Sequence, residues 1–480
     1  MLLSQLSEGA APVEITGLAY DSRAAGPGTL FFCVPGASSD GHDHAAAAVA
    51  AGACALVVER PLGLGVPELL VASVREAMAP LAARFHGHPS SALRVVGVTG
   101  TNGKTTTSFL VRAILEASGE QCGLLGTVKS VIGGRDGEVE RTTPEAIDLQ
   151  ASLAAMRDGG DRACAMEVSS HALALHRADS ISFAAAVFTN LTQDHLDFHP
   201  TMEDYFAAKR LLFESGPGVA VVNAGDPYGQ RLLADFPQAV SFAVEAPADY
   251  SAHQLRSGIA DARFNVQTPD GELEIATKLP GAFNVANALA ALATTHRLGV
   301  PLATISAALA GAAPAPGRFQ ALDEGQPFAV LVDYAHTPDS LENVLRAARA
   351  LSDGRLICVF GCGGDRDRGK RPRMGAISAE LADLTVITSD NPRSEDPASI
   401  VEEILRGAVA ARRNGHTVEA IVERRDAIAH AITLARSGDV VVIAGKGHEQ
   451  GQEFAGGRKI PFDDVAVARE QLRASAVAGA

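Results

Sequence analysis

Short apolar runs at 30–34, 55–58 and 69–71 alternate with turn residues along the first part of the chain. Runs of this length between turn formers predict buried strands. The alanine-rich stretch 45–58 stops at Glu59 and predicts a helix followed by a strand. It is too short for a membrane span, which needs about 18 apolar residues. Gly87-His88-Pro89-Ser90 then predicts a linker. Beyond it, an apolar strand at 94–98 leads into a Gly/Thr-rich loop and a helix from Lys104. Further apolar strands at 163–166, 184–188 and 219–222 are separated by helical stretches. That alternation predicts a largely parallel sheet with helices on both faces. An amphipathic helix over 283–297 runs into a second predicted linker, Ala313-Pro314-Ala315-Pro316-Gly317. Strands at 329–332, 356–360, 385–388 and 440–444 then restart the alternation. The fold class is α/β with three expected domains, 1–90, 91–316 and 317–480, and the length agrees, since 480 residues exceed one ordinary domain.

Composition narrows the class. With 47% hydrophobic and 20% charged residues the chain has the balance of a packed globule. A formal net charge of -15 argues against a general nucleic-acid or membrane-surface binder. Anionic substrates would need local cations and amide-lined loops set against that field. The first ten residues lack a basic and an apolar signal region, so a cytoplasmic location is expected. Cys33, Cys54, Cys122, Cys164, Cys358 and Cys362 are expected as reduced thiols, several of them in apolar runs. One spaced pair, Cys358 and Cys362, is weak support for a metal.

The strongest local signal is Gly97-Val98-Thr99-Gly100-Thr101-Asn102-Gly103-Lys104-Thr105-Thr106, between an apolar strand and a helix. Such a loop curls its amides toward phosphate at the positive end of the helix. Lys104 is placed to reach the outer phosphates, and the Thr105 hydroxyl to ligand magnesium. The strict P-loop spacing would want glycine at position 98, which is valine. Two more polar clusters end strands: Met166-Glu167-Val168-Ser169-Ser170-His171, and Thr189-Asn190-Leu191-Thr192-Gln193-Asp194-His195. Open α/β sheets bind ligands at the carboxyl ends of their strands. Glu167 is therefore a candidate magnesium ligand and His195 a candidate for a second metal. Lys209, taken by itself, reads as a surface lysine with its stem laid along apolar neighbours.

The loop Gly-x-x-Gly-Thr-Asn-Gly-Lys-Thr resembles that of the Mur ligases and their folylpolyglutamate synthetase relatives. The resemblance extends over essentially the whole chain to the tripeptide-forming branch. It implies a central ATPase domain, an N-terminal UDP-binding domain and a Rossmann-like C-terminal domain. It also implies an ATP-dependent ligase that makes an acyl phosphate for attack by an amine. The substrates implied are UDP-MurNAc-L-Ala-D-Glu and meso-diaminopimelate, with ATP, Mg2+ and a carbamate on Lys209 that turns the ammonium into a carboxylate-like ligand. Ser22, in Tyr20-Asp21-Ser22-Arg23, matches a UDP contact, although that run could by itself be a turn. Arg141, Thr142, Thr143, Ser169 and Arg177 match segments that hold the muramoyl peptide. Some relatives carry Asn at the position of Arg141 and Gln at that of Leu175. Asn284, Asn287, Arg318, Asp333 and His336 match ATP-side contacts. Asp390-Asn391-Pro392-Arg393 matches the family's diaminopimelate motif, joined by Arg366, by Gly445 through its backbone, and by Glu449. Asn and Arg suit the extra carboxylate of diaminopimelate, because the guanidinium fork can hold it bidentately. A monomer is expected. Addition of lysine or ornithine, a folylpolyglutamate synthetase and a P-loop switch remain as alternatives.

Overall fold

The strand Thr29–Phe32 is buried along its whole length, and its residues alternate between two cores. Leu30 and Phe32 join Ala55, Val57 and the helix Val74–Phe85 on one face of the sheet. Phe31 and Cys33 join Leu56, Val58, Ala45 and Ala48 on the other. This is the period-two signature of a strand covered on both sides, which is why it reads as a continuous apolar run. The sheet is parallel throughout, in the order Gly17–Ala19, Thr29–Phe32, Ala53–Val58, Glu68–Leu70.

This computed structural model describes residues 1–36, 39–259, 261–413 and 415–478. The chain divides into two compact units. The first comprises 1–99, 115–187 and 207–220, the second 100–114, 188–206 and 221–480. Besides the N-terminal sheet, the first unit contains the parallel strands Arg94–Thr99, Ala163–Glu167 and Cys122–Leu125. Two short antiparallel strands, Ser130–Ile132 and Arg135–Gly137, extend them. The segment 87–90, expected as a linker, is a tight turn. His88 takes a left-handed φ of 52°, Pro89 and Ser90 are buried, and the Ser90 hydroxyl accepts from the Ser182 amide at 3.1 Å.

Val219–Asn223, of which residues 221–223 belong to the second unit, pairs in parallel with Val240–Val244, and that strand with Tyr250–Ser257. Ala262–Thr268 and Gly271–Thr277 then add an antiparallel meander that the sequence pattern did not reveal. Only every second residue of Ala262–Thr268 is fully buried, so no apolar run marks it. The C-terminal sheet has the order Gln320–Leu322, Ala329–Asp333, Val440–Ala444, Leu356–Phe360, Leu384–Ile387, Thr417–Ala420. All its pairings are parallel except that of the first strand. Leu356, Cys358 and Phe360 face one core while Ile357 and Val359 face the other. Ala329–Asp333, Val440–Ala444, Leu356–Phe360 and Leu384–Ile387 run parallel, so the loops after Asp333, Phe360, Ile387 and Ala444 gather at one carboxyl edge, the ligand-binding edge of such sheets.

Candidate active site

Glycines shape the loop between the strand Arg94–Thr99 and the helix Lys104–Ala117. Gly100 and Gly103 have φ values of 148° and 87°, where a side chain is strained. A Cβ on Gly100 would lie 1.9 Å from the Thr189 hydroxyl, and one on Gly103 2.3 Å from Asn287 Oδ1. The loop is thus pressed against two polar partners. Asn190 braces it further, accepting from the Asn102 amide through Oδ1 at 2.9 Å and from the Thr101 amide through its carbonyl at 2.9 Å. Lys104 folds back to donate to the Gly100 and Thr101 carbonyls, each at 2.9 Å. Its ammonium is therefore held over the loop, and the helix Lys104–Ala117 starts there. Thr105 and Thr106 are buried in its first turn.

Residues far along the chain complete this region within the second unit. Asn287 accepts from the Thr107 hydroxyl at 3.4 Å and donates to Asn284, which donates to the Pro280 carbonyl. Arg318 donates to the Thr105 hydroxyl and lies over the Tyr334 ring, 4.4 Å from its centroid. Asp333 accepts from the Phe319 and Ala335 amides at 2.6 and 2.7 Å, so it shapes the turn that presents Tyr334 and His336. Burial raises the pKa of Asp333, against the pull of Arg318 and the two amides. His336 is pushed toward its neutral form by burial and by Lys370, whose ammonium donates to the His336 carbonyl at 2.9 Å. Burial alone would raise Asp194, but the charges of His195, His336 and Lys370 hold its carboxyl below the usual range. His195 takes a left-handed φ of 55°, its amide donating to Asp194 at 2.8 Å. Asp339 accepts from Asn102 at 2.9 Å and from Thr192 at 3.1 Å, a partner of the loop that the motif did not disclose.

The first unit holds a separate network. The Glu167 carboxylate, almost wholly buried, accepts from the Thr127 amide at 2.8 Å and the Thr127 hydroxyl at 3.1 Å. Thr127 also meets Thr142 at 2.9 Å, and Thr143 donates to the Glu167 carbonyl at 2.9 Å. The Thr143 hydroxyl accepts from the Ser169 amide, while Ser169 caps the helix Ser170–Ala174. Arg75, Arg141 and Arg177 converge on buried Glu145 at 3.0, 3.3 and 2.8 Å. Three cations on one carboxylate leave a net positive charge there, which suits an anionic ligand. Ser22 lies in a short turn capped by Asp21, which Arg23 holds down to a pKa of about 2 by side-chain and backbone hydrogen bonds. Lys209, on the helix Met202–Glu214, is 1% exposed rather than laid along the surface.

At the carboxyl edge of the C-terminal sheet, Asn391 donates to the Glu449 carboxylate at 2.8 Å and accepts from the Lys446 ammonium at 2.9 Å. Lys446 is buried and also reaches Glu449 at 2.9 Å. Burial favours the neutral acid, yet Lys446 and Asn391 hold the Glu449 pKa below its ordinary value. Arg393 donates to Glu453 at 3.0 Å and to the Gly364 carbonyl at 2.8 Å. Pro392 lies between Asn391 and Arg393 and its carbonyl accepts from the Glu395 amide. Gly445, at φ 117°, could not carry a side chain, since a Cβ would sit 2.6 Å from Asp390 Oδ2. Arg366 is exposed and close to Gly363, which also adjoins the Arg393 guanidinium. Beneath these loops the buried pair Arg424–Asp464 closes at 2.7 Å, and Arg424 donates to the carbonyls of Ser389 and Ala444. One guanidinium thus ties together the bases of two site loops.

Family models for the Mur ligase catalytic domain, middle domain and glutamate ligase domain match residues 14–86, 98–295 and 317–447. The UDP-N-acetylmuramoyl-L-alanyl-D-glutamate--2,6-diaminopimelate ligase of Syntrophomonas wolfei is 47% identical over 480 residues, covering 98% of this chain and 97% of that one. The chain belongs to the Mur ligase family. The enzyme of the same name from Geobacillus kaustophilus is 47% identical over 470 residues, covering 96% of this chain and 95% of that one. A solved structure of a ligase of that name superposes with a TM-score of 0.71 at 33% identity, over 99% of both chains.

This Mur ligase therefore has the three-domain α/β architecture of its family, with a central parallel sheet. Thr127, Glu145, Asp339, Lys446 and Glu453 are the residues that its motifs did not single out. Thr127 stands just past the strand Cys122–Leu125 and Glu145 just past Thr143-Pro144, so strand ends and motif flanks were the available signals. Magnesium prefers hard oxygens and keeps waters and phosphates in its shell, so it needs no full protein cage. Among the described residues no group of three His, Cys, Asp or Glu could hold a metal. The buried Glu167 carboxylate fits as one oxygen donor. All six cysteines are free thiols, and burial pushes Cys358 and Cys362 up to about 12, as inert core residues.

Proposed function

We propose that this Mur ligase adds meso-diaminopimelate to UDP-MurNAc-L-Ala-D-Glu, consuming ATP, in the assembly of peptidoglycan precursors. One observation carries the choice of amino acid: Arg393, Asn391 and Glu449 stand on one sheet edge. They offer a cation for the distal carboxylate of diaminopimelate and an anion for its ammonium. Relatives at 47% identity bear the name of that reaction.

In this reading the loop Gly100–Thr106 cradles ATP, with Asn284, Asn287, Arg318 and His336 on its flank. Asp333 sets the turn from which His336 projects. The γ-phosphoryl group passes to the D-glutamyl carboxylate, and Lys104 offsets charge on the transferring group. The diaminopimelate amine attacks the resulting acyl phosphate, and inorganic phosphate leaves. Arg141, Thr142, Thr143, Ser169 and Arg177 orient the muramoyl peptide, and Ser22 meets the uridine nucleotide. His195 is assigned to a second metal, and Thr105, Glu167 and a carbamate on Lys209 are each assigned as an oxygen donor to Mg2+. When bound, that ion supplies charge neutralisation to phosphate oxygens. Burial of Lys209 supports its reading as a site residue. The working boundaries are 1–90 for UDP, 91–316 for ATP and 317–480 for the amino acid. The enzyme is assigned as a cytoplasmic monomer, and among the described residues no helix is long and apolar enough to cross a membrane.

The test is release of ADP with the UDP-dipeptide and diaminopimelate, lysine or ornithine in turn. Turnover with diaminopimelate well above the other two is expected. Equal or greater turnover with lysine or ornithine would reject the assigned amino acid and leave the ligase class standing.

A further inference from the structure

We infer that Glu453 is a positioning residue that sets the amino-acid specificity of Arg393, an inference that rests on the function proposed above. The hairpin Gln452–Phe454 and Arg458–Ile460 lies outside the matched motifs, yet it grips the specificity loop at several points. Gln452 donates to the Asp390 carbonyl at 2.8 Å, and the Glu453 amide donates to Asn391 Oδ1 at 3.0 Å. The Arg393 amide donates back to the Glu453 carbonyl at 2.9 Å, and Arg393 forms a bridge with Phe454. Arg393 has a φ of 50°, a conformation that residues with side chains rarely adopt. These backbone bonds keep it there.

The Glu453 side chain then fixes the guanidinium itself. Its carboxylate takes Arg393 Nε at 3.0 Å, and the Gly364 carbonyl takes Nη1 at 2.8 Å. A guanidinium has five N–H donors in a planar fork. Two partners on two different nitrogens leave the plane no freedom to rotate, while three donors stay available. Arg393 keeps 22% of its side chain exposed. A fork held in one plane presents paired donors to a carboxylate at little further ordering cost, which is how a supporting residue raises selectivity.

Kinetics with diaminopimelate and with lysine test this in the intact enzyme, because lysine lacks the distal carboxylate. Glu453→Ala removes only the side-chain contact and keeps both backbone bonds. The KM for diaminopimelate should rise about tenfold. The kcat at saturation and the kcat/KM with lysine should move less than twofold. Glu453→Gln keeps an acceptor for Nε and should retain most of the preference, which separates orientation from charge and from simple loss of folding. If the wild type prefers diaminopimelate and Glu453→Ala preserves that preference, or weakens lysine and diaminopimelate alike, the positioning role is overturned and the proposed function stands. A wild-type preference for lysine overturns both.

Discussion

Arg318 donates from Nη2 to the Thr105 hydroxyl at 3.1 Å, joining residues 213 positions apart at the first turn of the phosphate-loop helix. The same guanidinium lies over Tyr334, and its Nε is buried with no hydrogen-bond partner among the described residues. A planar cation stacked this way is not replaced by lysine, which offers a point charge on a flexible stem. Arg318→Lys should raise the KM for ATP about tenfold. Steady-state kinetics at varied ATP check it, and an unchanged KM would remove Arg318 from the nucleotide site.

Lys104→Ala should abolish ligation while the far-UV circular dichroism stays that of the wild type. Lys104 donates to the Gly100 and Thr101 carbonyls of its own loop, so those two contacts are local to it. Loss of a preorganised charge at the transferring group costs about 3–4 kcal/mol, roughly a hundredfold or more in kcat. Near-normal turnover in the purified variant would sink the phosphate-loop assignment.

Lys209 should carry a carbamate. Its burial to 1% exposure places the side chain away from bulk water, where a charged group needs a built environment. Enzyme equilibrated with 13C-bicarbonate should show a carbamate carbon resonance that is absent from Lys209→Arg. Activity of that variant should collapse. A wild-type spectrum without the resonance argues against the modification.

Arg393→Ala should narrow amino-acid preference from one side. A hydrogen bond to a charged group contributes about 1.5–3 kcal/mol, roughly 10- to 150-fold in kcat/KM. That loss should fall on diaminopimelate and spare lysine. Sites built around a polar substrate group reject analogues lacking it by up to about 10⁵-fold, so the wild-type preference itself should be large. Equal losses with both amino acids would detach Arg393 from specificity.

Acid should loosen the C-terminal part of the chain through Glu395. Hydrogen bonds from buried Arg371, against an opposing effect of burial, lower the Glu395 pKa from 4.5 to about 2. A carboxylate depressed by folding stabilises fully above its unfolded value, and the contribution is lost as pH falls from about 4.5 toward about 2. Glu395→Gln should therefore lower the Tm at neutral pH, with the gap to wild type closing across that window. A gap that is constant with pH would mean that the charge of Glu395 is not what stabilises the fold.

Local pattern alone placed the buried strands. The run 356–360 is the observed strand Leu356–Phe360, and 440–444 is Val440–Ala444, because strands covered on both faces must be apolar at every position. Glycine spacing before Lys104 marked a tight loop between strand and helix, since the turn demands φ values that few other residues accept. The family motifs, including Asp390–Arg393, were likewise readable from the residues. Tertiary structure decided what pairs with what. Nothing near Arg393 in sequence points to Glu453, and nothing near Glu145 points to Arg75 and Arg177 together. The half-buried meander from Tyr250 to Thr277 had no apolar run to mark it, and Lys209 looked like a surface lysine until its helix was packed. Sequence periodicity encodes which face of an element is apolar, whereas a polar side chain's partner depends on which distant element packing brings within about 3 Å of it.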